Sequence, residues 1–396
     1  MDKHSENKMN TLLERGVENI FPSKGFLETQ LKSGKQLTIY TGYDPTGPSL
    51  HIGHAITLMK LRDFQELGHK VIMLIGDFTA LIGDPTDKGA ARVRQTREQV
   101  LENCKLYKEQ ASAFLRFDGE NPAELKFNND WLGTLTFAEV IDLSSHFTVQ
   151  RMLERDMFEK RMNEEKPIYL HEFLYPLMQG YDSVAMDVDG EVGGNDQTFN
   201  MLAGRDLMKD LKGKEKFVLA TKLLVDSSGK KMGKSEGNMI ALSDAPQDVF
   251  GKVMRWTDEM IVPGFEICTR VPMHEIEAMD KEMKLGANPR DFKLNLAYHI
   301  TQMFLGDEAA RMAKEHFSSV IQSNEKPIDI PELKPSSYDI LTALVEAKFV
   351  ESRGEARRQI EGAGVKLNDQ KVESIETLVK AGDVIQKGKR FFVKIV

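Results

Sequence analysis

The pattern of apolar and polar positions is clearest near the amino end, where it predicts a strand, a helix and a second strand. Residues 37 to 41 (LTIYT) are rich in β-formers, residues 54 to 67 carry apolar side chains at helical spacing, and residues 71 to 75 (VIMLI) are continuously apolar. Gly68 stands where the helix should end, and the apolar second strand is typical of a sheet covered on both faces. The pattern predicts a βαβ unit in a doubly wound, Rossmann-like parallel sheet, with ligands bound at the carboxyl ends of its strands.

Helical patterns dominate two later stretches. Residues 130 to 180 are helical in character and apolar runs resume only at residues 218 to 226, so the helical stretch is predicted to be an insertion. Two further helices are predicted to begin at the N-cap candidates Ser243 and Asn288, and Pro289 suits the first position of the second helix. These helices predict a separate helical domain.

Residues 323 to 337 contain three prolines and few large apolar groups, which is linker composition. Because 396 residues exceed the usual size of one domain, several domains are expected. The predicted division is an α/β domain at 1–242 with a helical insertion near 130–170, a helical domain at 243–325, a linker at 326–336 and a small α+β domain at 337–396.

Composition narrows the class of protein. Hydrophobic residues make up 41% and charged residues 29% of the chain, as in globular proteins with a sizeable core. The amino terminus lacks the apolar segment of a secretory signal or a membrane helix. Cys104 and Cys268 are too few and too far apart for a disulfide framework or a thiolate zinc site. We therefore expect a cytoplasmic protein with no membrane contact and no structural metal.

The net charge of -8 is divided unevenly along the chain. Residues 337 to 396 hold 11 Lys and Arg against 9 Asp and Glu, or +2, which leaves 42 against 52, or -10, for residues 1 to 336. This mild asymmetry permits a polyanionic partner of the last domain without identifying one.

Two histidines follow the first predicted strand, in the sequence GYDPTGPSLHIGH. His51 and His54 lie three residues apart around a helix start, whose free N–H groups suit a phosphate, and their imidazoles can add donors to a reacting phosphoryl group. Gly53 has no side chain, so the flat base of a nucleotide could lie against the backbone there. The alternative is two surface histidines beside a turn, and this motif alone does not decide between them.

Residues 226 to 238 (DSSGKKMGKSEGN) form a cationic, glycine-rich loop. Its lysines, Lys230, Lys231 and Lys234, can act as mobile point charges for phosphates, and its glycines let the loop close over a triphosphate. An exposed basic turn is the alternative. A phosphate-binding P-loop is disfavoured, because the segment is one residue short and Gly237 weakens the helix that should follow.

A third stretch, residues 169 to 200, sets polar groups among apolar ones. Tyr175, Gln179 and Asp182 are spaced by four and three, so on a helix they line one face with a phenol, an amide and a carboxylate. The alternative is a set of polar core residues satisfied by the backbone.

These motifs together resemble the class I aminoacyl-tRNA synthetases: HIGH at 51–54, GGNDQ at 193–197 and KMGKS at 231–235 occur in the right order. More narrowly, IYTGYDPTGPSLHIGH, LIGDPT and FLYPLMQGYDS resemble the tyrosyl-tRNA synthetase family, and the resemblance continues through NPRDFKLNLA into the tail. Gly233 departs from the serine most often found in the lysine motif of the superfamily, but both flanking lysines are in place.

The resemblance implies three groups of residues in the first domain, which would then be catalytic. The tyrosine-binding residues would be Tyr40 and Asp182 on the phenolic hydroxyl, Asp84, Tyr175 and Gln179 on the α-ammonium, and Gln197 near the carboxylate. The ATP-binding residues would be Asp44, Gly53, Gly194, Asp196 and Lys234. The catalytic residues that clamp the phosphates would be His51, His54, Lys231 and Lys234.

The implied reaction activates L-tyrosine with ATP and Mg²⁺ to tyrosyl-adenylate and pyrophosphate, and then transfers tyrosine to the 3′ end of tRNA(Tyr). The substrate carboxylate is itself the nucleophile, so positioning and charge stabilisation supply the rate. An editing domain is not expected, because a phenylalanine side chain leaves the buried polar groups of a tyrosine pocket unpaired.

The resemblance also implies partners. The insertion resembles the dimer interface of the family and implies a homodimer, while residues 243 to 325 would form the anticodon-region domain. The tail resembles an RNA-binding module named after a ribosomal small-subunit protein, in which Arg353, Arg357 and Arg358 would contact RNA. A solvated basic helix face is the alternative, and no DNA partner is implied.

Three rival functions share some of these features. Tryptophanyl-tRNA synthetase has the same motifs but is not expected to have the tail or the pair Tyr40 and Asp182. A small-molecule adenylating or cytidylyl-transferring enzyme on the same fold leaves the helical domain and tail without a purpose. A synthetase-like RNA-binding protein without activity is at odds with the presence of both phosphate motifs.

Overall fold

The computed structural model describes residues 3–85, 95–226, 229, 231–232, 239–322, 330–350, 352–388 and 391–396. The chain divides into two compact units, Met1–Lys314 and Glu315–Val396. Among the described residues, no helix combines the length and the apolar character needed to cross a membrane.

Eleven strands and eighteen α-helices are found in the part of the chain that the structure describes. The strands are β1 Val17–Phe21, β2 Thr38–Tyr43, β3 Lys70–Ile75, β4 Glu124–Phe127, β5 Gly190–Gly194, β6 Phe217–Thr221, β7 Glu332–Leu333, β8 Val365–Leu367, β9 Gln370–Lys371, β10 Val384–Lys387 and β11 Phe391–Ile395. The helices are α1 Lys3–Glu14, α2 Lys24–Lys32, α3 Ile52–Glu66, α4 Arg97–Cys104, α5 Tyr107–Ala111, α6 Asn129–Leu132, α7 Phe137–Ser145, α8 Val149–Leu153, α9 Asp156–Asn163, α10 Leu170–Met186, α11 Thr198–Lys212, α12 Pro246–Met254, α13 Ile261–Cys268, α14 Met273–Lys284, α15 Pro289–Leu305, α16 Asp307–Gln322, α17 Ile340–Glu346 and α18 Arg353–Glu361.

The larger unit is built around a six-stranded sheet in the order β1-β6-β5-β2-β3-β4. Strand β1 runs antiparallel to β6, and the other five strands are parallel. From β2 the chain proceeds outward through β3 to β4 and then returns to β5 on the opposite side of β2. The strand order therefore reverses between β2 and β5, which is where an open α/β sheet forms its ligand crevice. The predicted doubly wound parallel sheet is confirmed.

The predicted βαβ unit is β2-α3-β3. Helix α3 ends before Gly68, whose φ of +87° is a left-handed conformation that glycine adopts without steric cost. Strand β3 is buried over five of its six residues, because the sheet is covered on both faces.

The two predicted N-caps have different outcomes. Asn288 caps α15, with its side chain accepting from the Arg290 N–H at 3.1 Å, and Pro289 is the first helical residue. The prediction at Ser243 is wrong: α12 begins at Pro246 with Ala245 as its N-cap. The fixed φ of Pro246 sets the helix start, and the Ser243 hydroxyl bonds to that of Ser49 at 2.8 Å.

The predicted helical insertion corresponds to α6 through α9, which lie between β4 and β5 along the chain. Helix α10 follows and packs against α11 over a shared apolar face. That face includes Leu143 of α7, Leu177 and Val184 of α10, and Leu207 and Met208 of α11.

The smaller unit has its own core and its own sheet, in the order β7-β11-β10-β8-β9. Helices α17 and α18 cover this core, with Leu341, Leu344 and Ile360 among the buried residues. Residues 332 and 333, inside the predicted linker, pair as β7 with β11.

Candidate active site

A cavity of about 940 Å³ lies at the carboxyl ends of β2 and β5, where the strand order reverses. It is lined by all but one of the residues implied to bind tyrosine or ATP or to clamp phosphate: Tyr40, Asp44, His51, Gly53, His54, Asp84, Tyr175, Gln179, Asp182, Gly194, Asp196, Gln197 and Lys231. Lys234 lies outside the described residues, as do Lys230, Gly233 and Gly237.

One end of the cavity is formed by Tyr40 of β2 and Asp182 of α10, both buried. The Tyr40 hydroxyl lies 2.9 Å from the Ser183 hydroxyl and 3.5 Å from the carbonyl oxygen of Gln179. Burial raises the pKa of Tyr40 well above its usual value, and the carboxylates of Glu191 and Asp182 raise it further. Tyr40 therefore keeps its phenolic proton.

Two N–H donors hold the Asp182 carboxyl group. Trp131 Nε1 donates to Oδ1 at 2.8 Å, and Asn128 Nδ2 donates to Oδ2 at 3.2 Å. Burial raises the pKa of Asp182, and these two bonds oppose that rise. Since each carboxylate oxygen can accept more than one bond, Asp182 can also accept a hydroxyl that enters the cavity.

Helix α10 contains Tyr175, Gln179 and Asp182, and all three side chains line the cavity, as their spacing predicts. The Tyr175 hydroxyl donates to Asp44 Oδ2 at 2.9 Å. Gln179 Nε2 donates to Glu191 Oε1 at 3.1 Å.

Asp84 and Gln197 meet on another wall of the cavity. Gln197 Nε2 donates to Asp84 Oδ2 at 2.7 Å, and Asn200 in turn donates to Gln197 Oε1 at 3.0 Å. Arg155 is buried and lies 3.8 Å from Asp84 Oδ1. These bonds fix the Asp84 carboxylate and the Gln197 amide in positions where they can bind a polar group of a ligand.

The other end of the cavity holds His51 and His54, whose rings stack at 3.8 Å. His51 is the N-cap of α3, with Nδ1 accepting from the Gly53 N–H at 3.1 Å, and His54 Nδ1 accepts from the His51 N–H at 3.1 Å. Burial holds the pKa of His54 well below its usual value, and the neighbouring His51 and Lys231 lower it further. A neutral His54 with an acceptor Nδ1 carries its proton on Nε2, where it can donate to a phosphate oxygen.

Residues 224–225 pair with residues 231–232 as a hairpin, which brings Lys231 to the same end. Val225 and Lys231 form an antiparallel bridge, and the Met232 N–H donates to the Leu224 carbonyl at 2.8 Å. Past the loop, the Ile240 carbonyl accepts from the Ile52 N–H at 2.9 Å, which joins this segment to the start of α3. The Lys231 ammonium contacts Asp196 Oδ2. Lys231, His51 and His54 therefore face one space.

Gly194 ends β5 beside Asp196. A Cβ at Gly194 would lie 2.4 Å from Asp196 Oδ1 and 3.0 Å from the Leu223 side chain, so any larger residue displaces the carboxylate that holds Lys231. At Gly53 a Cβ would lie 3.0 Å from the His51 ring.

The three arginines implied to bind RNA lie on α18 of the smaller unit. Arg357 and Arg358 are exposed. Arg353 donates to Thr342 Oγ1 at 2.5 Å and to Asp339 Oδ1 at 3.0 Å, so it also ties α18 to the start of α17.

Sequence reasoning did not identify five polar residues that surround Tyr40 and Asp182: Asn128, Trp131, Ser183, Glu191 and Lys216. Glu191 lies in the glycine-rich strand β5, and Lys216 directly precedes the apolar strand β6, so neither position has a local pattern that distinguishes it from an ordinary strand residue. A charged residue beside a fully buried strand was the one available signal.

Among the described residues, no group of three or more His, Cys, Asp or Glu side chains is placed to hold a metal ion.

A doubly wound sheet whose crevice holds a histidine-bearing helix start and a lysine hairpin defines a class I aminoacyl-tRNA synthetase. The model for tRNA synthetases class I (W and Y) matches residues 32–322, and the S4 domain model matches residues 340–385. The chain belongs to the tyrosine–tRNA ligase family within that class.

Two curated relatives support this membership. The tyrosine–tRNA ligase of Thermotoga maritima is 43% identical over 97% of this chain and 96% of the relative, and that of Haemophilus influenzae is 42% identical over 97% and 95%. Among solved structures, a C-terminally truncated Coccidioides posadasii mitochondrial tyrosyl-tRNA synthetase has a TM-score of 0.64 and 26% identity, covering 78% of this chain and 91% of its own. Tyrosyl-tRNA synthetase from Archaeoglobus fulgidus, complexed with L-tyrosine, shares the fold with a TM-score of 0.61 at 24% identity, covering 78% and 99%.

Proposed function

We propose that this chain is a tyrosine–tRNA ligase that activates L-tyrosine with ATP and transfers it to the 3′ end of tRNA(Tyr). The observation that supports the proposal is a single cavity lined both by the buried side chains of Tyr40 and Asp182 and by those of His51, His54 and Lys231. A phenol and a triphosphate can then be bound with the reacting carboxylate between them.

In the activation step, Tyr40 and Asp182 bind the phenolic hydroxyl of tyrosine. The α-ammonium lies by Asp84, Tyr175 and Gln179. Gln197 lies near the substrate carboxylate, which attacks the α-phosphorus of ATP and displaces pyrophosphate. These contacts hold the nucleophile close to the phosphorus, so no protein nucleophile is needed.

The nucleotide is held by the opposite wall, with Asp44, Gly194 and Asp196 at the ribose and Gly53 beside the base. His51 and His54 donate from Nε2 to the phosphate oxygens, and Lys231 and Lys234 add positive charge there. A Mg²⁺ ion bound with ATP would neutralise charge on the phosphate oxygens. Stabilisation of the charge that develops on the phosphates supplies much of the rate.

The second step uses the RNA. A ribose hydroxyl at the 3′ end of tRNA(Tyr) attacks the mixed anhydride, and AMP leaves. We assign residues 1–242 to catalysis, 243–325 to the anticodon region, 326–336 to a linker and 337–396 to RNA binding through Arg353, Arg357 and Arg358. The S4 match at residues 340–385 supports the last assignment.

We infer a homodimer formed through the insertion. Large apolar side chains of this region are exposed, with Phe137 at 80%, Ile141 at 57%, Val149 at 66% and Leu170 at 84%. Phe137 and Ile141 are four residues apart on α7 and share one face. Exposed apolar surface of this extent is typical of a protein interface. Sedimentation velocity tests the proposal by measuring whether the mass in solution is that of two chains.

Cys104 and Cys268 are both free, which supports a reducing cytoplasm as the place of action.

ATP–pyrophosphate exchange against each of the twenty amino acids tests the proposal. Tyrosine alone should support rapid exchange, and Asp182→Ala should abolish most of it, because the substrate hydroxyl loses its acceptor in a buried site. Exchange that is faster with tryptophan than with tyrosine contradicts the assignment, as does an Asp182→Ala protein that activates tyrosine normally.

A further inference from the structure

Next to Tyr40 lies a buried polar group of three side chains. They are Ser183 of α10, Glu191 of β5 and Lys216 at the start of β6, and all are at most 3% exposed. Lys216 Nζ contacts Glu191 Oε2 and lies 2.8 Å from Ser183 Oγ, which lies 2.9 Å from the Tyr40 hydroxyl. A charged pair is thus connected to the hydroxyl-reading tyrosine through one serine.

The chemistry of these groups sets the direction of the hydrogen bonds. An ammonium can only donate, so Ser183 Oγ accepts from Lys216. Among the described residues, Tyr40 is the one acceptor within hydrogen-bond distance of the Ser183 hydroxyl proton. Donation to Tyr40 avoids leaving a buried hydroxyl proton unpaired. The Tyr40 oxygen then accepts from Ser183 and its own O–H is free to point elsewhere.

Two other acceptors lie near the Tyr40 proton. The Gln179 carbonyl, at 3.5 Å, is too far away for a strong bond, and the Glu191 carboxylate already accepts from Lys216 and Gln179. The proton is therefore available to a ligand oxygen in the cavity. At the same place Asp182 accepts from the ligand. A group that accepts from Tyr40 and donates to Asp182 is a hydroxyl, and a side chain without one leaves both partners unpaired.

We propose that Lys216 and Ser183 form a relay that orients Tyr40 as a hydrogen-bond donor toward the substrate hydroxyl. The bonds then run in one direction, from Lys216 through Ser183, Tyr40 and the substrate to Asp182. Bonds aligned in this way polarise one another in a buried site. Lys216 and Ser183 are positioning residues, because neither touches the substrate, and the inference rests on the proposed tyrosine specificity.

The surrounding structure keeps the relay in place. A Cβ at Gly204 of α11 would lie 2.7 Å from Lys216 Nζ and 2.8 Å from Ser183 Oγ, so only glycine leaves room for both groups. Glu191 keeps the ammonium paired, and its other oxygen accepts from Gln179 at 3.1 Å. The ion pair thus links Tyr40 to Gln179, which lines the same cavity.

Ser183→Ala is the direct test, because it removes the relay and leaves the Lys216–Glu191 pair intact. Pyrophosphate exchange is measured with tyrosine and with phenylalanine, giving kcat/KM for each. We expect kcat/KM for tyrosine to fall about tenfold or more, as for one misdirected buried hydrogen bond. The value for phenylalanine, which has no hydroxyl to read, should stay unchanged.

A second variant, Lys216→Met with Glu191→Gln, removes the donor without leaving a buried charge unpaired, and it should lower the tyrosine-to-phenylalanine ratio similarly. Ser183→Thr keeps the hydroxyl and should restore most of the ratio. Equal losses for both amino acids, or an unchanged ratio in Ser183→Ala and in the double variant, overturn the relay. Failure of the proposed function gives a different result, because the wild-type protein then has no higher kcat/KM for tyrosine than for phenylalanine.

Discussion

Single side chains in the cavity are held in defined protonation states by their neighbours. His54 is kept neutral by burial and by Lys231, and its Nδ1 is occupied by the His51 backbone. Lys231 itself contacts Asp196, which anchors the ammonium at the phosphate end. In the proposed mechanism, positive charge at the phosphates therefore comes from lysine and not from His54.

Lys231→Ala should slow formation of tyrosyl-adenylate far more than it weakens tyrosine binding, because the ammonium acts on charge that develops in the transition state. By analogy with the loss of one oxyanion donor, we expect a rate decrease of about 10² to 10³-fold. Single-turnover kinetics measure the rate, and equilibrium dialysis measures tyrosine affinity.

The matched control is Lys35→Ala, since Lys35 is exposed and pairs with Asp189 outside the cavity. An unchanged forward rate in Lys231→Ala, or an equal decrease in the control, removes Lys231 from the catalytic group.

Among the elements, α1, α3 and α13 are joined by buried cations. The Arg15 guanidinium, at the end of α1, donates to the carbonyls of Phe265, Glu266 and Val271 at 2.7 to 2.8 Å. It thereby satisfies the Phe265 and Glu266 carbonyls at the C-terminal end of α13, which have no partner within the helix, and the Val271 carbonyl beyond it. Glu266 also bonds to Lys222 at 2.8 Å, just before the lysine hairpin. The helical region and the base of the hairpin are thus connected.

Lys60 of α3 is another of these buried cations, and it makes the free energy of unfolding dependent on pH. Its ammonium donates to the Leu12 carbonyl at 2.8 Å, and burial lowers its pKa from 10.5 to about 8. Below pH 8 the group is charged in folded and unfolded protein alike, and its burial reduces the free energy of unfolding. Between pH 8 and 10.5 the unfolded chain binds more protons, so stability rises with pH, by about 3 kcal/mol at most.

Denaturant unfolding at pH 7.5 and pH 10 measures this dependence. The increase in the wild-type protein should be larger than in Lys60→Met, which has no charge to bury, while Lys35→Met should behave as wild type. Identical pH dependence in all three proteins means that Lys60 is not the titrating group.

The whole molecule consists of two units, and the residues proposed for tyrosine activation and for RNA binding lie in different units. Tyr40, His51, Asp182 and Lys231 all belong to the larger unit, whereas the exposed arginines of α18 belong to the smaller one. The smaller unit has a separate core, so its removal leaves the residues of the cavity in place.

Removal of residues 337–396 should leave tyrosyl-adenylate formation intact and weaken tRNA binding. Each lost phosphate contact should flatten the slope of log affinity against log salt by about 0.7 to 0.9. Filter binding over a series of salt concentrations measures the slope, and charging should be poor at low RNA concentration.

Single arginine variants test which side chains of α18 contribute to the salt dependence of RNA binding. Arg357→Ala and Arg358→Ala should each reduce the slope, and Arg353→Ala less so, because Arg353 is engaged by Asp339 and Thr342. Undiminished charging by the truncated protein assigns the smaller unit another role, and loss of tyrosine activation makes it part of the catalytic core.

The sequence by itself determined the features that depend on neighbours within a few residues. The βαβ unit followed from hydrophobic period, the start of α15 from Asn288 and Pro289, and the common face of Tyr175, Gln179 and Asp182 from helical spacing. At Ser243 the same reasoning was wrong, because Pro246 set the helix start instead. The motifs also identified thirteen residues that the structure brings to one cavity.

Only the tertiary structure decided which groups surround these residues. Asn128 and Trp131 reach Asp182 across more than fifty positions of sequence, and Ser183 and Lys216 meet across thirty-three. Such pairs are created by the order of strands in the sheet and by the close approach of α11 at Gly204, which no local pattern encodes. The antiparallel edge strand β1 and the strand β7 inside the predicted linker have the same origin, because each is stabilised by hydrogen bonds to a strand distant in sequence.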